Sequence, residues 1–448
     1  MTGTLADARE RDRIRTDTAE TLFVNAGAGS GKTAALIDRV TTLVLCDGVR
    51  LSRIAAVTFT EKAGAELRDR LREQFEAVWR ADGPDKPTAE QALDDLDGAA
   101  IGTLHAFGQR LLTEHPIEAG LPPIIEVLDE VGSSVAFDER WSELQAELLD
   151  DDDIAAPLLL GMAMGMRLDH VRSLAVSLGK DWDLIEDRVL SVPPLPVEVP
   201  DVTDLLARAR ELVQSGVYCT VPDDRLLRRL AELADLVELI DTAPDAGTVL
   251  TNLERIAELK YRNTGQKGNW RVSAEQVRNV GLEIAADARD MVRPVLDRCL
   301  RQMTSWVGQR VLDAAETRRR EGKLEFHDLL VLPRDLLRRD AGVRAAVHED
   351  YQRLLLDEFQ DTDPIQIELA ARICGGAAAD EPRWQAVDVP PGRLFVVGDS
   401  KQSIYRFRRA DIATYLEAER EIGETASLTT NFRTVDPILQ WVNAVFGR

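Results

Sequence analysis

The stretch from Leu22 to Leu45, LFVNAGAGSGKTAALIDRVTTLVL, constrains this chain more than any other. Leu22-Phe23-Val24 is short and apolar, as a buried strand would be, and ends at Asn25. Ala26-Gly27-Ala28-Gly29-Ser30-Gly31 continues neither a strand nor a helix, because repeated glycine favours a tight turn. Leu36, Ile37, Val40, Leu43 and Val44 then recur at helical spacing. Strand, glycine-rich turn and helix in this order form a phosphate-binding loop. Backbone N–H groups of the turn, with the helix N-terminus, can surround an anionic phosphate chain. Lys32 is placed to reach the β- and γ-phosphates, and Thr33 to offer its hydroxyl to Mg²⁺. A plain glycine turn is the alternative, and Lys-Thr directly after the last glycine argues against it. Ala26 stands where the loop pattern usually has its first glycine, so the turn must tolerate a methyl group at its entrance.

With 448 residues there is room for two or three domains. A net charge of −23 argues against coating nucleic acid by bulk attraction, but leaves room for a local cationic groove. Cys46, Cys219, Cys299 and Cys374 are far apart and make no metal-binding pair, which suits reduced thiols. The start of the chain has no apolar core of signal-peptide length, and no apolar run approaches a membrane span. The expectation is a soluble, cytoplasmic protein with no membrane partner.

Four further strand-to-polar junctions follow. Ile54 to Thr58 reads as a buried strand leading into Phe59-Thr60 and a helix with Leu67, Leu71, Phe75 and Val78 on one face. Asp82 to Asp97, with Pro84 and Pro87, reads as a surface loop. Ala100 to Phe107, AIGTLHAF, is another junction. Arg353 to Leu356 runs into Asp357-Glu358-Phe359-Gln360-Asp361, and Leu394 to Val397 ends at Gly398-Asp399-Ser400-Lys401-Gln402. Strands with polar C-terminal ends and helices between them predict an α/β fold with a mostly parallel sheet, ligands binding at those ends.

Helical patterns dominate from about Leu121 to Arg320, for example Leu226, Leu227, Leu230, Leu233, Val237 and Ile240. The expected division is a nucleotide-binding domain from residues 1–120 and 321–425, interrupted by a large, mainly helical insertion at 121–320. Within it, Lys260-Tyr261-Arg262 and Lys267 to Arg271 form an aromatic-basic cluster, read as a solvated loop in preference to a base-stacking surface.

Phosphoryl transfer needs positioning and charge stabilisation more than covalent chemistry. Asp357, after a buried strand, can hold Mg²⁺, and Glu358 can orient and deprotonate the attacking water. Gln402 can sense the γ-phosphate or that water, and Arg433 can act as an arginine finger. Each of these last two would be weak evidence alone.

The assembled motifs resemble the superfamily 1 DNA helicases of the UvrD/Rep/PcrA type, and among them the RecB and AddA branch. The matching stretches are AGAGSGKT (26–33), VTFTEKAGAELRDRL (57–71), GTLHAF (102–107), EFHDLL (325–330), LLLDEFQDTDPIQ (354–366), VVGDSKQSIYRFRRAD (396–411) and LTTNFRT (428–434). The resemblance implies a RecA-like P-loop NTPase domain using ATP and Mg²⁺, and a translocase on single-stranded or partly duplex DNA that moves 3′ to 5′ in repair and recombination. It implies that Phe59, Thr60, Thr103 and His105 line the strand path, that bases stack on Tyr405 and Phe407, and that Arg408 touches DNA nearby. It further implies a partner in the form of a second helicase-nuclease subunit.

Two departures qualify that expectation. Family members usually carry a glutamine upstream of the loop that reads adenine, whereas the first glutamine here is Gln74. The base would then be held mainly by stacking on Phe432. Residues 426–448 are expected to begin a second motor domain whose remainder does not follow. The alternative reading is accordingly a nucleotide- and DNA-binding domain without turnover of its own. A phosphate-loop kinase or GTPase is disfavoured, because it gives no account of Gln402, Tyr405 and Phe407 following one strand.

Overall fold

The computed structural model describes residues 5–361, 363–404 and 411–446. Tyr405, Phe407 and Arg408 lie outside the described residues. The chain divides into two compact units, one of Met1–Asp129 with Arg319–Arg448 and the other of Glu130–Arg318.

The first unit is built on a six-stranded sheet. Its strands are β1 (Leu22–Ala26), β2 (Ile54–Thr58), β3 (Ala100–Thr103), β6 (Arg353–Leu356), β7 (Leu394–Gly398) and β8 (Glu424–Leu428), in the order β3-β2-β6-β7-β1-β8. Every pairing is parallel. A separate two-stranded ribbon pairs β4 (Glu126–Val127) with β5 (Lys323–Leu324). Alternate strand residues face opposite ways, and both faces are covered. Leu22, Val24, Ile54, Ala56, Leu355, Phe395 and Val397 share one core with the helices that follow β1 and β2. On the other face Phe23 packs edge-on against Phe359 and Tyr415. Two covered faces explain why β2 and β7 are continuous apolar runs without alternation. Each fully buried Val, Leu or Phe here contributes about 1.5–3 kcal/mol.

Five helices fix the first part of this unit: α1 (Ala8–Thr16), α2 (Lys32–Leu45), α3 (Glu61–Arg80), α4 (Lys86–Leu96) and α5 (Leu104–Glu114). Helix α4 corrects the loop expected at Asp82 to Asp97. Pro87 sits in its first turn, where a missing N–H costs nothing, and Ala89, Ala92 and Leu96 bury against the same core as α3. Arg39 of α2 is fully buried and donates to the carbonyls of Ile14, Asp17 and Glu20, tying α2 to α1 and the turn after it. Its guanidinium lies over Phe395, and burial pulls its pKa down to about 10.

The second unit is helical. Six helices between Glu130 and Glu258 are followed by a long helix, Ala274–Glu321. One of its cores gathers Leu205, Leu226, Leu230, Leu253 and Ile284; another gathers Leu148, Ile154, Met303 and Val307. Tyr261 and Trp270 both belong to the first of these cores. The aromatic-basic cluster is therefore neither a solvated loop throughout nor a base-stacking surface: its two rings are structural. No helix among the described residues is long and apolar enough to cross a membrane.

Candidate functional site

The phosphate loop grows out of β1 as its sequence dictates. Ala26 is the last strand residue, buried and paired with Leu428, so the methyl group at the loop entrance sits in the sheet core. The turn closes with Ser30 N–H donating to Gly27 O at 3.1 Å. Gly29 and Gly31 have φ of +73° and +88°, conformations that L side chains rarely adopt. Gly31 is also the residue that caps α2, so Lys32 and Thr33 open the helix, where N–H groups lack intrahelical acceptors. The Ser30 hydroxyl is buried with no hydrogen-bond partner among the described residues.

Lys32 Nζ lies 2.5 Å from Glu358 Oε2, joining residues 326 positions apart. Asp357 leaves β6 with its N–H on Val57 O at 2.9 Å. Burial, with the charge of Glu358 beside it, pushes the Asp357 carboxyl up to about 6. Glu358 has φ +50°, an unusual backbone state for a residue with a side chain. That bend lets one carboxylate oxygen accept both from Lys32 and from Gln360 Nε2, the latter at 2.7 Å.

Gln402 does not join this cluster directly. Its amide donates to Asp399 Oδ2 at 2.5 Å, and Asp399 N–H in turn donates to Gln360 Oε1 at 2.9 Å. Gln360, fully within the core, is thus the side chain that connects the end of β7 to Glu358. In the sequence it stands out only as part of a motif.

The segment after β8 lies against the phosphate loop. Asn431 Nδ2 donates to Ala28 O at 3.0 Å and Phe432 N–H to Gly29 O at 2.8 Å. A Cβ on Gly29 would come within 2.6 Å of Arg433 Cβ, so glycine is needed there for space as well as conformation. Arg433 is exposed, and its guanidinium makes no ion pair among the described residues.

Asp7 and Arg11 organise this contact, and the sequence reading missed both. Asp7 Oδ1 accepts from Arg11 Nε and Thr430 Oγ1, while Oδ2 accepts from Arg11 Nη2 and the N–H groups of Thr429 and Thr430, all between 2.7 and 3.0 Å. Burial alone would raise the Asp7 pKa, but Arg11 and these donors outweigh it and hold the carboxyl well below the usual range. Arg11 Nη2 also donates to Ser30 O at 2.7 Å. Charged residues just before a phosphate loop were the available signal.

The expected strand-path residues gather where β2 and β3 end, Thr58 pairing with Thr103. Phe59 is half-buried just after β2. Thr60 caps α3, accepting from Ala63 N–H, and Thr103 caps α5, accepting from Ala106 N–H and donating to Glu61 Oε1 at 2.6 Å. Both hydroxyls therefore already have structural partners. His105 stacks on Phe326, centroids 3.7 Å apart, and Phe326 exposes more than half its surface. Burial and the charge of His327 pull the His105 pKa down to about 4. Among the described residues no cluster of three His, Cys, Asp or Glu side chains forms a dedicated metal cage.

Residues 7–423 match the family profile of the UvrD/REP helicase N-terminal domain. Similar curated proteins include an ATP-dependent helicase/nuclease subunit of Levilactobacillus brevis, 28% identical over 97% of this chain. Its counterparts of the same description in Exiguobacterium sibiricum and Pediococcus pentosaceus are 26% and 23% identical, each over 95% of it. The chain spans 38% of the length of each of these relatives.

Proposed function

The chain belongs to the UvrD/REP helicase N-terminal domain family, and from that premise we propose that it is the nucleotide-hydrolysing part of an ATP-dependent DNA helicase that moves along single-stranded DNA. The observation that carries this reading is the meeting of Lys32 and Glu358 at 2.5 Å. It puts a loop suited to a triphosphate beside the carboxylate pair that phosphoryl transfer uses.

In the proposed cycle the γ-phosphate competes with Glu358 for Lys32. Glu358, released, orients and deprotonates the attacking water. Thr33 and Asp357 would hold Mg²⁺. They offer hard oxygen ligands, and a divalent cation relieves the unfavourable charge of a carboxylate buried beside Glu358. The ion supplies neutralisation of charge on the β- and γ-phosphate oxygens. Arg433, whose Cβ lies beside Gly29, would add a cation to the transferring phosphoryl group. Gln402, through Asp399 and Gln360, links Glu358 to the segment that carries Tyr405, Phe407 and Arg408.

DNA would pass the ends of β2 and β3, along Phe59, Thr60, Thr103 and His105, with exposed Phe326 offering a face that accepts any base. Residues after Leu428 would begin a second motor domain; the helix Asp436–Phe446 buries none of its residues and exposes Trp441 and Phe446. Movement from 3′ to 5′, work in repair and recombination in the cytoplasm, and a second helicase-nuclease subunit complete the proposal. The relatives' description as one subunit of a helicase/nuclease supports such a partner. The test is phosphate release with and without single-stranded DNA, in the chain and in Lys32→Ala. Hydrolysis that DNA stimulates and Lys32→Ala abolishes is the expected result. Undiminished stimulated hydrolysis in the variant would overturn the assignment.

A further inference from the structure

One buried side chain, Tyr415, meets three strand ends that carry the candidate nucleotide site. Its ring packs edge-on against Phe23 of β1, centroids 5.1 Å apart, and stands 5.7 Å from Phe359, the residue after Glu358. A Cβ on Gly398, the last residue of β7, would come within 2.8 Å of Tyr415 Cε2, so glycine there leaves room for the ring. The Tyr415 hydroxyl donates to Asn25 Oδ1 at 2.8 Å, and Asn25 Nδ2 donates in turn to Glu419 Oε1. Asn25 stands one residue before Ala26, where β1 gives way to the phosphate loop.

Phenylalanine would satisfy the packing alone. The hydroxyl, Asn25 and Glu419 instead form a polar chain, and such a chain fixes one geometry because each member has a set partner. Burial, and then the charges of Glu419 and Asp399, raise the phenol pKa, so the hydroxyl stays a donor. Tyr415 and Glu419 lie one turn apart on the helix Ile412–Glu421. Asp411 caps that helix, accepting from Ala413 N–H and the Thr414 hydroxyl. The helix therefore begins directly after residues 405–410, where the proposed function puts the strand contacts of Tyr405, Phe407 and Arg408.

We propose that Tyr415, Asn25 and Glu419 form a latch that couples DNA bound ahead of this helix to nucleotide bound at the phosphate loop, with Tyr415 the positioning residue. The inference rests on the reading of the chain as a nucleotide- and strand-binding motor domain. A shift of the helix on strand binding moves the end of β1 through two hydrogen bonds. A shift of the loop on nucleotide binding moves the helix by the same path. Coupling of this kind is reciprocal and changes affinity by about 5–150-fold. The latch is separate from the connection through Gln402, Asp399 and Gln360, which reaches Glu358 rather than the end of β1.

The test is the affinity of the full chain for a fluorescent oligothymidylate, read by anisotropy with and without the Mg²⁺ complex of a non-hydrolysable ATP analogue. In the parent the two affinities should differ by about tenfold. Tyr415→Phe keeps the ring and removes the hydroxyl. It should bring the two within about twofold, while DNA alone and nucleotide alone bind as in the parent. Asn25→Asp sets two carboxylates against each other and should uncouple in the same way. Adding Glu419→Gln to Asn25→Asp restores a donor for an acceptor and should restore the difference. A merely structural role for Tyr415 would weaken both separate affinities and leave their coupling, and that result would overturn the latch. So would the parent's coupling retained in Tyr415→Phe, or a parent whose affinity for DNA ignores nucleotide. A parent that fails to bind nucleotide or DNA would overturn the underlying reading and the latch with it.

Discussion

Lys32 Nζ and Glu358 Oε2 stand 2.5 Å apart, so the cation proposed to bind phosphate is held by the carboxylate proposed to act on water. Neither group can take its working role while the pair is closed, and a triphosphate would exchange one partner for another. Glu358→Gln should therefore keep nucleotide affinity within severalfold yet lower turnover by about 10²–10⁴. Single-turnover phosphate release and nucleotide binding, measured side by side, check this; equal losses in both would assign Glu358 to binding.

Gln360 is buried and serves Glu358 and Asp399 at once. Gln360→Leu keeps the volume and removes these bonds together with the one to Asp361 Oδ2, leaving the Asp399 N–H without its acceptor. Destabilisation of about 1–3 kcal/mol is expected. A urea unfolding midpoint equal to that of the parent would show the bridge to be dispensable.

Asp7 binds the strand end at Thr429 and Thr430 to Arg11. Asp7→Asn leaves one acceptor oxygen where two are used and should cost about 2–3 kcal/mol. The native pKa is depressed, so this contribution is complete above the ordinary carboxylate pKa. It is lost only as pH falls through the depressed native value. Amide hydrogen exchange at Thr429 and Thr430 should stay slow down to pH 4 in the parent and be fast throughout in the variant. Equal protection in the two proteins would contradict the clasp.

His105 has its pKa lowered to about 4 by burial and by His327. An unfolded imidazole binds its proton near 6.5 while the native one does not, so stability falls as pH drops from about 6.5 towards 4. The ring should remain neutral at pH 5.5, seen in its NMR titration, and His105→Phe should flatten that limb of the stability curve. Titration of the ring near 6.5 would contradict its burial against Phe326.

Interior strands β1, β2, β6 and β7 were legible because both of their faces are covered, which writes a continuous apolar run into the sequence, whereas edge strand β3 was read from its junction into α5. Edge strand β8 was not: Glu424, Thr425 and Ser427 are exposed and only Ala426 and Leu428 point inward. The ribbon of β4 and β5 has two residues per strand, too few to make a pattern. In the site, Lys32, Thr33, Asp357 and Glu358 were readable because each sits in a local strand-to-turn signal. Asp7 and Arg11 were not, since Asp7 finds Thr429 and Thr430 more than 400 positions away. Tyr261 and Trp270 misled for the opposite reason: neighbouring charges suggested a surface, and packing with Leu226 and Ile284 made them core.

The place of β1 in the sheet sets a schedule for the growing polypeptide. Its two neighbours are β7 and β8, with Leu22 paired to Phe395 and to Glu424. Between Leu22 and its first partner, 395 − 22 = 373 residues must be added. At ribosomal speeds that is roughly twenty seconds to more than a minute. Throughout that interval the apolar strand leading into the phosphate loop has no β-partner. Strand pairing of so wide a span also carries a large loop-closure entropy and folds slowly. The strand that leads into the phosphate loop thus leaves the ribosome long before it is seated, and LFVNA is the stretch most in need of shielding during synthesis.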